Sequence, residues 1–239
     1  YTMKTLCADM AGLLDALGIE QAAFVGHDWG GAVIWQMGLR YPERVTALVG
    51  LNTPYGPPSN ARPTESLRDF HGQTDQTFYM RYFLAPGVAE AELEADVATT
   101  FKKIFLPYTR AADFTTFMTV GGDGSGVIAR ITNTDTFLTD EELAEYVKEY
   151  SRTGFRGGLN WYRAADRNAD EVGAPKGPQL NIRSMMVTAG KDTILKPEMA
   201  AAMPMLIPGI RMEHIEDCAH WTQQERPAEV NALLLDFLG

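Results

Sequence analysis

The residue type of Asp28 and its neighbours in sequence both indicate a reactive side chain. Residues 24–31, FVGHDWGG, combine an apolar run, a glycine, the carboxylate and a second pair of glycines. In a nucleophile elbow, a strand turns sharply into a helix and exposes one side chain among small residues. Serine is usual there, whereas a carboxylate attacks a saturated carbon and needs no base to do so. The alternative is an ordinary turn with Asp28 as a helix N-cap, and these residues alone do not decide between the two.

An ester formed on Asp28 would have to be cleaved by water, which requires a histidine base and a carboxylate that orients it. In such sites the acid and then the histidine follow the nucleophile along the chain. Asp192 and His220 fit this order, each shortly after a predicted strand. Because residues beyond the carboxyl ends of parallel strands gather in one crevice, we expect Asp28, Asp192 and His220 to meet.

Other residues compete for the roles of base and acid. His27 flanks the elbow, His71 lies in a proline-rich segment and His214 lies inside a predicted strand. Each of these positions is more typical of a structural or surface histidine. Asp217 competes with Asp192, but it is too close in sequence to His220 to face the imidazole easily from a separate strand end.

The elements around these residues alternate between helix and strand. Apolar residues at helical spacing predict helices over residues 3–17, 32–41 and 227–237. Short apolar runs predict strands over residues 45–51, 184–188 and 211–215. This alternation is typical of an α/β protein with a parallel sheet, in which strand ends position the site.

Residues 54–173 differ in character and predict a helical insertion, or cap, between core segments at residues 1–53 and 174–239. Prolines break any regular element at its start, at Pro54, Pro57, Pro58 and Pro63. Further on, residues 90–105 have a helical pattern, and Thr139 with Glu142 forms a capping box that opens another helix. Residues 121–126 predict a glycine-rich loop without the Lys-Ser/Thr ending of a phosphate-binding loop.

Composition excludes several classes of protein. The chain of 239 residues has a net charge of -10 and no cluster of Lys and Arg, which argues against nucleic acid or an anionic membrane as a partner. Apolar runs are too short to span a bilayer. Two cysteines, Cys7 and Cys218, fit neither a disulfide framework nor a metal-ligand spacing, so we expect a reducing compartment, the cytoplasm.

Long motifs give the chain a family resemblance. It resembles the soluble epoxide hydrolases of the α/β-hydrolase superfamily, in particular the mammalian-type C-terminal hydrolase domain, through nearly its whole length. The motifs that carry the resemblance are residues 26–31 (GHDWGG), 41–45 (YPERV), 51–54 (LNTP), 86–94 (PGVAEAELE), 154–157 (GFRG), 159–163 (LNWYR) and 214–223 (HIEDCAHWTQ).

The resemblance implies a two-step conversion of a small hydrophobic epoxide to a vicinal diol, without a metal or organic cofactor. Two cap tyrosines would protonate the ring oxygen, since a phenol can donate a proton without carrying charge. Tyr162 matches one of them and Tyr79 the other, with Tyr82 as the alternative to Tyr79. The backbone N–H of Trp29 would form half of an oxyanion hole. The pocket walls expected are Trp29, Ile104, Ile194 and Trp221, each of which could equally be a core residue.

One family feature does not occur in these 239 residues. Members of the family carry upstream strands and a His-Gly-x-Pro loop, which supplies the other oxyanion donor. Its absence leads us to expect that the chain is part of a longer polypeptide, whose upstream segment would be its partner. Without those strands the elbow strand would have an unpaired apolar edge.

Three other functions remain open at this stage. A haloalkane or haloacid dehalogenase uses the same aspartyl ester but needs halide-holding groups where the tyrosines stand. A non-catalytic ligand-binding relative is compatible with the absent oxyanion loop. A serine esterase fits poorly because no G-x-S-x-G elbow occurs.

Overall fold

The computed structural model describes residues 1–56, 79–117, 126–171 and 180–239. The chain forms two compact units. We call Tyr1–Asn60 with Asp170–Gly239 the core unit, and Ala61–Ala169 the helical unit. Of the residues discussed above, His71, Pro57, Pro58, Pro63 and most of the glycine-rich loop lie outside the described ranges.

The described ranges contain helices, 3₁₀ turns and strands in alternation. The strands are β1 (Ala22–His27), β2 (Val45–Leu51), β3 (Ser184–Ala189) and β4 (Arg211–Ile215). The helices are α1 (Met3–Leu17), α2 (Trp29–Arg40), α3 (Tyr79–Leu84), α4 (Val88–Leu93), α5 (Val97–Ile104), α6 (Ala111–Phe117), α7 (Asp140–Thr153), α8 (Arg156–Arg163), α9 (Ala165–Glu171), α10 (Met203–Leu206), α11 (Thr222–Glu225) and α12 (Pro227–Leu238). The 3₁₀ turns are Pro42–Arg44, Tyr108–Arg110 and Pro197–Ala200.

The core unit is built on a parallel sheet whose described strands lie in the order β1-β2-β3-β4. The register pairs His27 with Leu51 and Leu51 with Val187, so the first strands end at one edge. Ala189 pairs with Ile215, so β3 and β4 end there too. The residues that follow each strand are therefore brought close together at that edge.

Burial explains why the strands have apolar sequences. Every residue of β3 is buried, as expected for a strand with neighbours on both sides and cover on both faces. Met185 and Val187 pack in one cluster with Val49 of β2 and Val230 of α12. Burial of this kind stabilises the sheet by roughly 1.5–3 kcal/mol for each large apolar side chain.

Most predicted elements of the core unit are confirmed. Helix α1 has the predicted bounds and ends at Gly18, which adopts the left-handed conformation (φ 65°). Strands β2 and β4 also have the predicted bounds, and β3 continues one residue further, to Ala189. Helix α2 begins at Trp29, earlier than the predicted residue 32, because the elbow turns directly into it.

In the helical unit, the single helix predicted over residues 90–105 is wrong. The structure has two helices there, α4 and α5, separated by Glu94, Ala95 and Asp96. The side chain of Asp96 accepts a hydrogen bond from the N–H of Thr99 at 3.0 Å, which is an N-cap that starts a new helix. The capping box of α7 is present as predicted, with Glu142 Oε2 accepting from the N–H of Thr139 at 2.9 Å.

Aromatic side chains form the centre of the helical unit. The ring of Phe101 on α5 lies 4.9 Å from that of Tyr146 and 4.8 Å from that of Tyr150, both on α7. Phe155, just before α8, lies 5.6 Å from the same ring. Edge-on and offset aromatic contacts of this kind hold α5, α7 and the start of α8 together.

Candidate active site

Asp28 occupies a strained turn between β1 and α2. Its backbone has φ 52° and ψ -121°, a conformation that a residue other than glycine rarely adopts. Although it stands at the N-cap position of α2, its side chain makes no capping hydrogen bond. The geometry is that of a nucleophile elbow, in which the turn holds the carboxylate away from the helix backbone.

Close packing explains the glycines around the turn. A Cβ atom on Gly26 would lie 2.3 Å from the carbonyl oxygen of Gly30, and one on Gly31 would lie 2.6 Å from Cβ of Thr53. The hydroxyl of Thr53 donates to the carbonyl oxygen of Asp28 at 2.7 Å. Thr53 thus both requires a glycine at position 31 and fixes the backbone of the elbow.

Asp28, Asp192 and His220 meet at the carboxyl edge of the sheet. Nδ1 of His220 lies 3.0 Å from Oδ2 of Asp192, and Nε2 lies 3.6 Å from Oδ2 of Asp28. His220 and Asp192 are buried, whereas one third of the Asp28 side chain is exposed. The imidazole therefore has one nitrogen on a buried carboxylate and the other facing the elbow, the arrangement of a triad.

Asp192 is held in its ionised form. Its Oδ1 accepts from the N–H groups of Ile194 and Leu195, at 2.8 and 3.0 Å, and its Oδ2 accepts from the amide of Asn52 at 2.7 Å. Burial alone would raise the pKa of this carboxyl, but the bond and charge of His220 and the other donors lower it to about 2. A fixed negative charge thus lies beside His220 at neutral pH.

That charge changes the basicity of His220. Burial works to lower the pKa of the imidazole, but the hydrogen bond and charge of Asp192, together with the charge of Asp28, raise it above its usual value. The imidazolium that forms when His220 accepts a proton is therefore stabilised where it stands. This is the electrostatic requirement for a general base.

His27 supports the backbone of His220. Its Nε2 lies 2.6 Å from the carbonyl oxygen of His220, and because a carbonyl can only accept, Nε2 carries the proton. Burial, and then the neighbouring His220, lower the pKa of His27 to about 4, so it is neutral at ordinary pH. His27 thus has a structural contact in the site, although it lies next to the elbow.

The other competitors make contacts of their own. His214 lies on β4 with Nδ1 2.9 Å from Thr188 Oγ1 and Nε2 3.0 Å from Glu216 Oε2, and its side chain is 44% exposed. Asp217 is exposed, and its carbonyl oxygen accepts from Nε of Arg226 at 2.7 Å. The carboxylate on Nδ1 of His220 is that of Asp192.

Three of the expected pocket walls lie in the core unit. The ring of Trp221 is 5.0 Å from that of His220 and 5.8 Å from that of His27. Ile194 is buried next to Asp192, to which its N–H donates, and Trp29 is the first residue of α2. Ile104, the fourth, is the last residue of α5 in the helical unit.

Tyr79 and Tyr162 lie side by side in the helical unit. Their rings are 5.8 Å apart with an interplanar angle of 79°, and both contact Phe83, at 5.4 and 4.9 Å. Tyr82 is differently engaged: its hydroxyl donates to the carbonyl oxygen of Val88 at 3.5 Å, and burial, and then the carboxylate of Glu92, raise its pKa to about 12. Tyr79, not Tyr82, therefore forms the aromatic pair with Tyr162.

Arg163 joins the helices that carry the two tyrosines. Its Nε donates to the carbonyl oxygen of Phe83 at 3.0 Å, and one terminal nitrogen donates to that of Ala85 at 3.2 Å. Both terminal nitrogens also donate to the carboxylate of Glu90, at 2.7 and 2.9 Å, in a pair that is largely buried. This two-pronged contact fixes the end of α8, and Tyr162 with it, against α3 and α4.

Asn52 lies at the site although no role was predicted for it. It is part of the LNTP motif, and its amide contacts both Asp192 and the loop that carries His220. The signal that could have found it is its position, since it directly follows β2 just as Asp28 directly follows β1. Thr222, which bonds to Asn52, had no such signal.

Two further findings concern the described ranges alone. Within them, no group of three or more His, Cys, Asp or Glu residues is placed to hold a metal ion. No helix in the same ranges has the length and apolar character that crossing a membrane requires.

Comparison with known proteins gives first the fold class and then the family. The family model described as alpha/beta hydrolase fold matches residues 1–227. Over its whole length the chain is 37% identical to epoxide hydrolase A of Mycobacterium tuberculosis, of which it covers 75%. It also superposes on the crystal structure of epoxide hydrolase A from Mycobacterium thermoresistibile with a TM-score of 0.89 and 41% identity, covering all of this chain and 75% of that one. The chain belongs to the epoxide hydrolases of the α/β-hydrolase superfamily, so the predicted fold class and family are confirmed.

The relatives differ in length from the chain. It is 43% identical to bifunctional epoxide hydrolase 2 of Mus musculus over its whole length, and it spans 43% of that protein. It spans about three quarters of the mycobacterial relatives.

Proposed function

We propose that the protein carrying this chain hydrolyses small hydrophobic epoxides to vicinal diols through a covalent ester on Asp28. The observation that carries the proposal is the contact of His220 with both carboxylates, at 3.0 Å to Asp192 and 3.6 Å to Asp28. A carboxylate at an elbow, a histidine that faces it and a buried acid behind the histidine are the parts that ester formation and ester hydrolysis need.

In the first step, an oxygen of Asp28 attacks one ring carbon and the carbon–oxygen bond of the epoxide breaks. The departing oxygen takes a proton from the phenol of Tyr79 or Tyr162, which gives a hydroxyalkyl ester. Ring contact between these tyrosines supports a shared role. Burial and the carboxylate of Glu92 raise the pKa of Tyr82 to about 12, which makes Tyr82 the less suitable proton donor. Asp28 needs no base, because it attacks as a carboxylate.

In the second step, Nε2 of His220 takes a proton from water, and the hydroxide formed attacks the ester carbonyl. The N–H of Trp29 stabilises the oxyanion, and the developing imidazolium is stabilised by the charge of Asp192. The diol then leaves as its second hydroxyl takes the proton from His220. Asp28, left as a carboxylic acid, loses its proton through solvent to the tyrosinate formed in the first step, which restores both groups. No step uses a metal or an organic cofactor.

The proposed reaction also needs a pocket for the substrate, a cap and a suitable compartment. Trp29, Ile104, Ile194 and Trp221 would be the apolar walls of the epoxide pocket. Residues 54–173 would serve as the cap, whose tyrosines protonate the departing oxygen. Both cysteines, Cys7 and Cys218, are free and buried, which supports the cytoplasm as compartment.

One experiment separates this function from the use of the same aspartate on alkyl halides. The purified protein is incubated with a racemic styrene-type epoxide and, separately, with a bromoalkane, and diol and bromide are each followed. We expect diol without bromide. Bromide without diol would overturn the proposal in favour of a dehalogenase, and neither product would favour a non-catalytic relative.

A further inference from the structure

Asn52 is a buried amide at the junction of three loops. It directly follows β2, and only 1% of it is exposed. Its φ of 64° is a left-handed conformation, which Asn adopts more readily than most residues. The N–H of Asn52 donates to the carbonyl oxygen of Val187 at 2.9 Å, so the residue continues the pairing of β2 with β3.

The amide nitrogen of Asn52 contacts the acid and the histidine together. It donates to Oδ2 of Asp192 at 2.7 Å, the oxygen that also lies 3.0 Å from Nδ1 of His220. The same nitrogen lies 3.3 Å from the carbonyl oxygen of His220. One side chain therefore fixes both the carboxylate and the backbone of its partner.

The other end of the amide is fixed by Thr222. The hydroxyl of this fully buried residue at the start of α11 donates to Oδ1 of Asn52 at 2.6 Å. Because the amide has a donor end and an acceptor end, only the observed orientation gives each contact a complementary partner. The carboxylate of Asp192 and the carbonyl oxygen of His220, which can only accept, determine this orientation, and Thr222 adds a donor for the amide oxygen.

These contacts link the residue that follows β2 to the loops that follow β3 and β4, which carry Asp192 and His220. Oδ1 of Asp192 is held by backbone N–H groups of its own loop, whereas Oδ2, which serves His220, has its second donor in Asn52. Without Asn52, the carboxylate loses a charge-assisted bond on the oxygen that orients the imidazole.

We propose that Asn52 is a positioning residue for ester hydrolysis: it holds Asp192 and His220 in the orientation in which the imidazole activates water. This inference rests on the function proposed above. Formation of the ester needs only the Asp28 carboxylate and a proton from Tyr79 or Tyr162, so it does not depend on Asn52. A change at Asn52 therefore separates the two steps, whereas a general loosening of the fold would slow both.

The test is a rapid-mixing experiment in which a styrene-type epoxide is turned over once and the ester is followed as it forms and decays. Asn52→Gly removes the amide, and glycine adopts the positive φ without steric cost. We expect ester hydrolysis to slow roughly 10- to 100-fold, as for loss of a bond to a charged group, and ester formation to keep its rate. Equal slowing of both steps, or no change in either, would overturn the inference.

Thr222 provides a second series should Asn52→Gly not fold. Thr222→Val removes the hydroxyl that donates to the amide oxygen of Asn52. It should slow ester hydrolysis by a smaller factor than Asn52→Gly, and Thr222→Ser should restore the rate. A Thr222→Ser rate no better than that of Thr222→Val would show that packing, not the hydrogen bond, matters, and would contradict the inference.

Ser184→Ala is the matched control. Ser184 is also buried and bonded, to the carbonyl oxygen of Ile182 at 2.8 Å, but it lies at the opposite end of β3. We expect both steps to keep their rates in this variant. If the unchanged protein forms neither ester nor diol, the proposed function itself fails and this inference with it. If the unchanged protein performs both steps and Asn52→Gly does so equally well, only the role of Asn52 is wrong.

Discussion

Nδ1 of His220 lies 3.0 Å from Oδ2 of Asp192, and both side chains are buried. The pair joins two loops that are 28 residues apart in sequence but follow neighbouring strands of the sheet. Since the acid and the base come from separate strand ends, the parallel register of β3 and β4 determines their distance. The chemistry proposed for Asp28 depends on this pair in its second step only.

Replacement of Asp192 should therefore separate the two steps. In Asp192→Asn we expect ester hydrolysis to fall by about three to four orders of magnitude, as in other triads that lose their acid, while the ester still forms. Single-turnover kinetics measure both rates. Asp217→Asn is the matched control, because Asp217 is an exposed carboxylate on the same loop as His220, and it should hydrolyse the ester normally. A large loss in Asp217→Asn, or a normal rate in Asp192→Asn, would show that the acid is misassigned.

The pH dependence of ester hydrolysis should follow His220. A base must be unprotonated, so the rate is lost as the pH falls through the pKa of the imidazole. Burial works to lower that pKa, but Asp192 and Asp28 raise it, so the loss begins at a higher pH than the ordinary value of about 6.5 would give. In the ester the charge of Asp28 is gone and Asp192 remains the main cause.

The variant Asp192→Asn checks the cause of that shift. Without the carboxylate, the residual hydrolysis should keep its rate to a lower pH than in the unchanged protein. His27, whose pKa burial and His220 lower to about 4, stays neutral through the range between about pH 5 and 8 and adds no step of its own. A rate that does not vary across this range would contradict His220 as the base.

The tyrosine pair should act in the first step. We expect Tyr79→Phe and Tyr162→Phe each to slow ester formation by about 100-fold or more, because a positioned general acid contributes that much. Tyr82→Phe should leave ester formation unchanged, since burial and the carboxylate of Glu92 raise the pKa of Tyr82 to about 12 and make it a poor proton donor. The opposite ranking, with Tyr82 essential and Tyr79 dispensable, would make Tyr82 the second proton donor in place of Tyr79.

The Arg163–Glu90 pair should contribute to stability in a way that an exposed pair does not. The two side chains are 14% and 13% exposed, so Arg163→Met leaves a largely buried carboxylate without its partner and should lower the free energy of unfolding by about 3 kcal/mol. In Arg152→Met, where the side chains of the pair with Glu149 are 70% and 48% exposed, we expect a much smaller change, because solvent and salt screen an exposed pair. Urea denaturation measures both. Equal changes in the free energy of unfolding of the two variants would show that Arg163 does not fix α8 against α3 and α4.

The sequence alone was sufficient to predict the residues at the strand ends. Asp28, Asp192 and His220 each follow a short apolar run, and in a parallel sheet that position alone brings side chains to one edge. The bounds of β2 and β4 were also predictable, because continuous apolar runs are typical of buried parallel strands.

Contacts between side chains were not predictable in the same way. The bonds of Asn52 to Asp192 and of His27 to the backbone of His220 depend on register and on rotamers, which no local pattern encodes. The break between α4 and α5 has a local cause, the Asp96 cap. The helical spacing of apolar residues continues across this break, so the spacing alone predicts a single helix. The effect of the Glu92 carboxylate on the pKa of Tyr82 likewise depends on the folded helical unit.

The covalent ester on Asp28 is the central claim, and mass spectrometry tests it most directly. His220→Gln, which lacks the proposed base but keeps Asp28, is incubated with a styrene-type epoxide and its intact mass is recorded. We predict a mass gain of one substrate, located by proteolysis on the peptide that contains Asp28 and absent from Asp28→Asn. No mass gain in His220→Gln although the unchanged protein produces diol, or a gain that persists in Asp28→Asn, would contradict the account.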